Sequence, residues 1–234
     1  MENSLEDKVV LVTGASSGIG KATAIKLAAE GAKLAITYFG GKEEADKADE
    51  TAKLCRESGS PEVLVLELDV RDYKSIKNVV NNTVGNFEKI DILINNAGII
   101  KWAIFSEQTI DSIENQIRIN LEGVIKMTYE CLPHIKEMIV NIASGAGIRP
   151  HPTAAVYCAT KYGVRGFTQT LGLEYPNLKI YAVNPDRAAT QMTNFDGRSP
   201  EVIADIILRT AEGEFKVENG GDVNVWEILH SEHL

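Results

Sequence analysis

In the run AAVYCATKYGVRGF, residues 154–167, a phenol and an ammonium stand four residues apart among small and apolar side chains. On a helix, Tyr157 and Lys161 share a face one turn apart. A free phenol titrates near pH ~10, and a neighbouring cation favours its phenolate. The pair could therefore give a proton to a bound substrate and take it back. The same spacing also suits a packed ring beside a snorkelling amine, so the pair needs company before it means chemistry.

A second stretch supplies some. Thr13-Gly14-Ala15-Ser16-Ser17-Gly18-Ile19-Gly20 follows the apolar run KVVLVT directly. Glycines let a backbone turn sharply and approach a pyrophosphate, while the helix that follows aims its first N–H groups at the charge. The spacing is G-x-x-x-G-x-G, and by itself such a turn could be merely a tight connection.

The elements that must position these residues alternate along the chain. Strands are expected at 8–13, 33–39, 62–70, in DILINNAG, in EMIVNIAS, at 178–185 and at 222–228. Helices are expected from Gly18 to about Glu30, over 42–57, over 73–87, somewhere between Asp111 and Lys136 with Pro133 ending or bending it, from the 154–167 run onward, and from Ser199-Pro200. Strands this apolar, each separated by a helix, imply a parallel sheet covered on both faces. Right-handed crossovers then give an α/β, Rossmann-type doubly wound sheet of about seven strands. No linker or repeat interrupts it, so residues 1–234 read as one domain.

Composition narrows the function classes. The 234 residues are 44% apolar and 24% charged, as in ordinary globular proteins, and the net charge is −9. That balance argues against a nucleic-acid or anionic-membrane surface. Cys55, Cys131 and Cys158 are odd in number and lack metal or disulfide spacing, which points to a reducing, cytoplasmic home. The opening MENSLEDKVVLVTG has no basic and apolar leader pattern, and no apolar run is long enough to span a bilayer. His134, His151, His230 and His233 show no ligand spacing, so no metal is expected.

Taken together, TGASSGIG, the Asn95-Asn96-Ala97-Gly98 segment, Asp69 in LDV, Asn120 in RINLEG, Ser144, Tyr157, Lys161, and Asn184-Pro185 followed by Thr190 resemble the classical short-chain dehydrogenase/reductase family along essentially the whole chain. The general likeness is to 3-oxoacyl-carrier-protein reductases and glucose-dehydrogenase-like members. The resemblance implies Tyr157 as general acid/base, Lys161 lowering its pKa and holding the nicotinamide ribose, Ser144 on the substrate oxygen, and Asn120 keeping a water near Lys161. It implies a nicotinamide dinucleotide held by Gly14, Ser16, Ser17, Gly18, Ile19, Gly20, Tyr38, Lys42, Asp69, Val70, Asn96, Ala97, Gly98, Tyr157, Lys161, Pro185 and Thr190. Asp69 could alternatively cap the next helix.

Where NAD-preferring members place an acid, this chain has Tyr38, with Lys42 close by; NADP(H) is therefore favoured over NAD(H). The segment at 190–199 is a brief substrate lid, and Asp186 replaces the usual glycine. The implied substrate is a small-molecule or carrier-bound carbonyl or alcohol, and the implied assembly is a homotetramer or homodimer. A non-catalytic NAD(P)-binding sensor on the same fold is the alternative.

Overall fold

A computed structural model describes residues 4–232; His233 and the two ends of the expected domain lie outside that range. Seven parallel strands form one sheet in the order β3-β2-β1-β4-β5-β6-β7. They are β1 (Val9–Val12), β2 (Lys33–Tyr38), β3 (Val63–Glu67), β4 (Ile90–Asn95), β5 (Ile135–Ile142), β6 (Lys179–Asn184) and β7 (Asp222–Asn224). The order reverses between β1 and β4, the place where doubly wound sheets open a crevice at their carboxyl ends.

The central strands are apolar along their length because both faces are covered. β1 is buried at every position, and β4 likewise. One face packs Val10, Val12, Leu34, Ile36, Ile92 and Ile94 under α1 (Gly18–Ala29), α2 (Lys42–Ser58) and α7 (Pro200–Glu212). The other packs Leu11, Leu93 and Ile139 under α3 (Tyr73–Phe87), α5 (Gly123–Cys131) and α6 (Ala155–Glu174). Each fully buried Leu or Ile contributes about 1.5–3 kcal/mol by leaving water.

Helix boundaries follow local chemistry. Asp72 caps α3 by accepting from the Lys74 N–H, and Ser199 caps α7, with Pro200 in the first turn. The helix expected within 111–136 is interrupted. α4 (Ile110–Ile117) gives way to a π-helical turn at Arg118–Glu122, and α5 then ends at Cys131, before Pro133.

The last element differs more. The strand expected over 222–228 stops at Asn224, and Val225–Ser231 forms α8. β7 pairs with β6 only from Ala182↔Asp222 to Asn184↔Asn224. Past Asn184 the chain continues into Pro185, whose carbonyl accepts from the Gly145 N–H on the β5 side, and no further pairing with β7 follows. Among the described residues no helix is long and apolar enough to cross a membrane.

Candidate active site

A cleft of about 1390 Å³ runs along the carboxyl ends of the strands, from the glycine turn past Ser144, Tyr157 and Lys161 to the lid segment. Pockets for drug-sized ligands hold roughly 300–1,000 Å³, so this one has room for a dinucleotide and a second small molecule.

The glycine turn is shaped by close approaches. Gly14 and Gly18 have φ of +67° and +58°, and a Cβ on Gly20 would lie 2.2 Å from the Gly14 carbonyl and 2.5 Å from Asn96 Nδ2. Asn96 explains part of this crowding: its amide nitrogen donates to the carbonyls of Thr13 and Gly14, both at 2.9 Å. Thr13 Oγ1 in turn accepts from the N–H groups of Asn96 and Ala97 at 2.9 and 3.0 Å. The β4 end thus holds the turn in shape. Ser17 sits at the α1 N-cap without a capping side-chain bond, which leaves the first-turn N–H groups to an anion. Thr190 reaches across from the loop after β6, its Cγ2 3.2 Å from where a Gly18 Cβ would stand.

On the neighbouring strand ends the expectations are met unevenly. Tyr38, Asp69, Val70, Ala97, Gly98 and Pro185 all line the cleft, as do Ser16 and Ile19. Asp69 does not cap α3, which Asp72 does; its carboxylate grips Arg71 at 2.9 Å and is held below the usual carboxylate range, first by that hydrogen bond. Lys42 is not among the lining residues. Glu44 and Lys47, from the same helix, are: Ser16 Oγ donates to Glu44 Oε2 at 2.8 Å, and Lys47 lies 2.7 Å from Glu44 Oε1. Those contacts, Lys47 first and then Ser16, hold Glu44 below its ordinary pKa, so a carboxylate faces the cleft beside the glycine turn.

At the other side of the turn, α6 brings Tyr157 and Lys161 together, the Lys161 ammonium 5.6 Å from the Tyr157 ring centroid. Lys161 is almost fully buried, donates to the Ile142 carbonyl at 2.7 Å, and has no carboxylate partner among the described residues. Burial therefore pushes it down to about 8. Tyr157 borders the cleft, yet atoms crowd its hydroxyl. Burial pushes the phenol up to about 12, against the pull of a hydrogen bond with Ser144. This changes the expected electrostatics. The phenol rests protonated at neutral pH, and it is the lysine whose pKa moves toward the physiological range.

Asn120 stands near Lys161, as expected of its place on the helix, with its side chain engaged by backbone. It is buried in the π-helical turn and does not line the cleft. Its amide pairs with both backbone groups of Ile99: Oδ1 accepts from the N–H and Nδ2 donates to the carbonyl, each at 2.8 Å. Nδ2 also reaches Thr160 Oγ1 at 3.3 Å. A Cβ on Gly98 would lie 3.3 Å from Asn120 Oδ1 and 3.8 Å from Lys161 Nζ. Asn120 thus fixes the β4–α4 connection against the lysine, and the π turn is what aims it there.

Asp186 is neutralised where it stands, by two hydrogen bonds from Arg198 Nε and one from its NH2 at 2.8–3.1 Å. Arg187 pairs similarly with Asp196 at 3.0 Å. These pairs, with the backbone bonds Ala189 N–H to Arg198 O and Arg198 N–H to Arg187 O, tie residues 186–198 into a closed loop.

Sequence reasoning missed the far wall. Trp102, Arg149, His151, Met192 and Trp226 also line the cleft. Trp226 arrives on α8, where a strand was expected, and its ring lies 3.4 Å from where a Gly145 Cβ would be, directly beside Ser144.

The comparisons agree with this geometry. A family model described as short chain dehydrogenase matches residues 8–200. The chain is 38% identical over 195 residues to the 3-oxoacyl-(acyl-carrier-protein) reductase FabG of Thermotoga maritima, covering 81% of this chain and 77% of that one. It is 37% identical over 191 residues to the 11-beta-hydroxysteroid dehydrogenase-like 3 protein of Arabidopsis thaliana, covering 80% of this chain but 60% of that longer relative. A short chain dehydrogenase from Burkholderia cenocepacia in complex with NADP superposes with a TM-score of 0.86 at 27% identity, over 94% of this chain and 97% of that one. With the match spanning most of the sheet and every helix up to the start of α7, the chain belongs to the short-chain dehydrogenase family.

Proposed function

We propose that the protein interconverts a carbonyl and a secondary alcohol by NAD(P)(H)-dependent hydride transfer, with Tyr157 as the general acid/base. The observation that carries this reading is that Ser144, Tyr157 and Lys161 line the same cleft as an uncapped α1 N-terminus and glycines that leave no room for a Cβ. The glycine turn, Asp69, Val70, Asn96, Ala97, Gly98, Pro185 and Thr190 would hold the dinucleotide, which supplies or accepts the hydride.

The chain's own groups handle the proton. In reduction, Tyr157 is protonated at neutral pH and donates to the substrate oxygen. Ser144 hydrogen-bonds that oxygen and stabilises the charge that develops there. The phenolate left behind is stabilised by the Lys161 ammonium, and Lys161 can itself gain or lose a proton near pH 8. In oxidation the phenolate removes the alcohol proton. Asn120 acts through position, holding Ile99 and Gly98 against the lysine.

Tyr38 leaves the end of β2 without the acid that repels a 2′-phosphate, and this supports NADP(H) as the cofactor. Glu44 opposes that preference, whereas Lys42 stands off the cleft. FabG of Thermotoga maritima and its like make a carrier-bound or thioester 3-oxo compound a natural first substrate to try. Assembly as a homodimer or homotetramer is proposed on the exposed apolar residues Ile110, Ile125 and Tyr129 of α4 and α5 and Leu173 of α6.

The test is Tyr157→Phe, assayed for NADPH and NADH oxidation against ketones, sugars and 3-oxoacyl thioesters. The expected result is a fall in kcat of about 10²–10⁴-fold with cofactor affinity retained. Undiminished turnover in the variant would remove the proton donor from the scheme. Cofactor binding without turnover of any carbonyl by the unaltered protein would favour the sensor.

A further inference from the structure

We propose that the substrate carries an anionic group, and that Arg149, standing on the Trp226 ring, receives it. This rests on the carbonyl/alcohol reading above and names the substrate class for that site. Five residues beyond Ser144, Arg149 lines the same cleft as Ser144 and Tyr157. Its guanidinium lies 5.8 Å from the Trp226 ring centroid, within the range of a cation–π contact.

The other arginines of this wall are already matched. Arg187 pairs with Asp196 and Arg198 with Asp186, so the aspartates of the lid are committed elsewhere. Among the described residues Arg149 has no ion pair, in a chain whose net charge is −9. The remaining acids nearby are also engaged: Glu201 bonds Ser199, and Glu227 accepts from Asn224.

The backbone under Arg149 is fixed rather than loose. Its N–H donates to the Gly145 carbonyl at 2.9 Å, and the Gly145 N–H donates to Pro185 O at 2.8 Å. Trp226 abuts Gly145, so the platform for the guanidinium is built against the residue next to Ser144. Trp102 donates through its indole N–H to the Met192 carbonyl at 3.2 Å and meets His151 edge-on at 5.2 Å. The cleft mouth therefore carries planar rings at Trp102, His151 and Trp226 and, exposed beside them, a planar cation without an ion pair among the described residues. Arginine in that setting recognises carboxylate or phosphate through paired N–H donors. The substrate class that fits is a carbonyl compound with an apolar body ending in a carboxylate or a phosphate.

The two sources of that charge are separable. Reduction is measured for 3-oxohexanoate, its methyl ester and its coenzyme A thioester, using the unaltered protein, Arg149→Gln, Arg149→Lys and Trp226→Phe. The ratio of kcat/KM for the charged compound over the ester is expected to fall 10–100-fold in Arg149→Gln, mainly through KM, and to recover in part in Arg149→Lys. Trp226→Phe, which keeps a ring but weakens the platform, should lower it by a few-fold. If the free acid is the one that loses, the carboxylate is the recognised group; if the thioester loses, the phosphates are. A ratio that does not move in Arg149→Gln overturns this inference while ester turnover leaves the oxidoreductase intact. Absence of turnover of all three compounds by the unaltered protein overturns both.

Discussion

The two ends of the cleft are built from different materials. At the glycine end, the surface is backbone, and its shape is set by hydrogen bonds among Thr13, Gly14, Asn96 and Ala97 together with glycines that admit no Cβ. At the far end, the surface is side chains: Trp102, His151, Arg149 and Trp226, held by edge-on ring and cation–π contacts on loops and on a seven-residue helix. A backbone surface can hold only what every member of a family shares. A side-chain surface can be rebuilt without disturbing the sheet, and that is where one member's substrate is chosen. Tyr157, Ser144 and Lys161 stand at the boundary and serve both.

That boundary can be broken most strongly at Lys161. An almost fully buried ammonium with one carbonyl as partner is a stability burden retained beside Tyr157. Its pKa falls from 10.5 to about 8 on folding, so between those values the unfolded chain binds more protons than the folded one. Stability must then rise with pH from about 8 to 10.5, and below pH 8 the full penalty is present. Lys161→Met is expected to lower kcat by about 10³-fold. It should also raise unfolding free energy at pH 7 by about 1–3 kcal/mol, an advantage that shrinks as pH passes through the 8–10.5 window. Denaturant unfolding at pH 7 and pH 10 measures it. A variant less stable than the parent at both pH values would show that the lysine is structural.

Gly20→Ala attacks the backbone end instead. One methyl group would meet the Gly14 carbonyl at 2.2 Å, and neither that carbonyl nor Asn96 can retreat without opening the turn. Cofactor affinity is expected to fall about 100-fold, while the strained turn costs about 1–3 kcal/mol of stability. Fluorescence titration and thermal melting read the two separately. Unchanged binding would mean that the turn is only a connection.

What was legible in the sequence follows the same division. The glycine turn is local: spacing and residue type dictate the backbone conformation, and TGASSGIG could be read before any tertiary contact was known. The Tyr157–Lys161 pair is one helical turn apart and equally local. Trp226 was illegible because DVNVWEI alternates as a strand should. Its place depends on a neighbouring strand, since β6 pairs with β7 only as far as Asn184↔Asn224 and the chain then turns into α8. The π turn that carries Asn120 escaped for a similar reason, since the backbone groups its amide pairs with belong to Ile99, 21 residues away. Arg149 was visible only as a residue type, and the ring it stands on comes from α8.

The smallest expected effect concerns the cofactor, and it sets the sequence expectation for Lys42 against helix geometry. Lys42 begins α2, and Glu44 lies two residues on; residues spaced by two point to nearly opposite sides of a helix. Once Glu44 turns inward to accept from Ser16, Lys42 faces away from the cleft wall. A 2′-phosphate bound near the glycine turn would therefore meet a carboxylate, only partly offset by Lys47, which also answers to Glu43 at 2.9 Å. Removing one charge at a few ångströms in a partly solvated site is worth about 1 kcal/mol. Glu44→Gln should accordingly shift the ratio of NADPH to NADH affinity toward NADPH by about five-fold, whereas Lys42→Glu should leave it within error. Titrations of both cofactors on both variants decide the matter. If Lys42→Glu moves the ratio and Glu44→Gln does not, the phosphate-reading group is the lysine after all, and the Ser16–Glu44 contact serves only to fasten α2 to the turn.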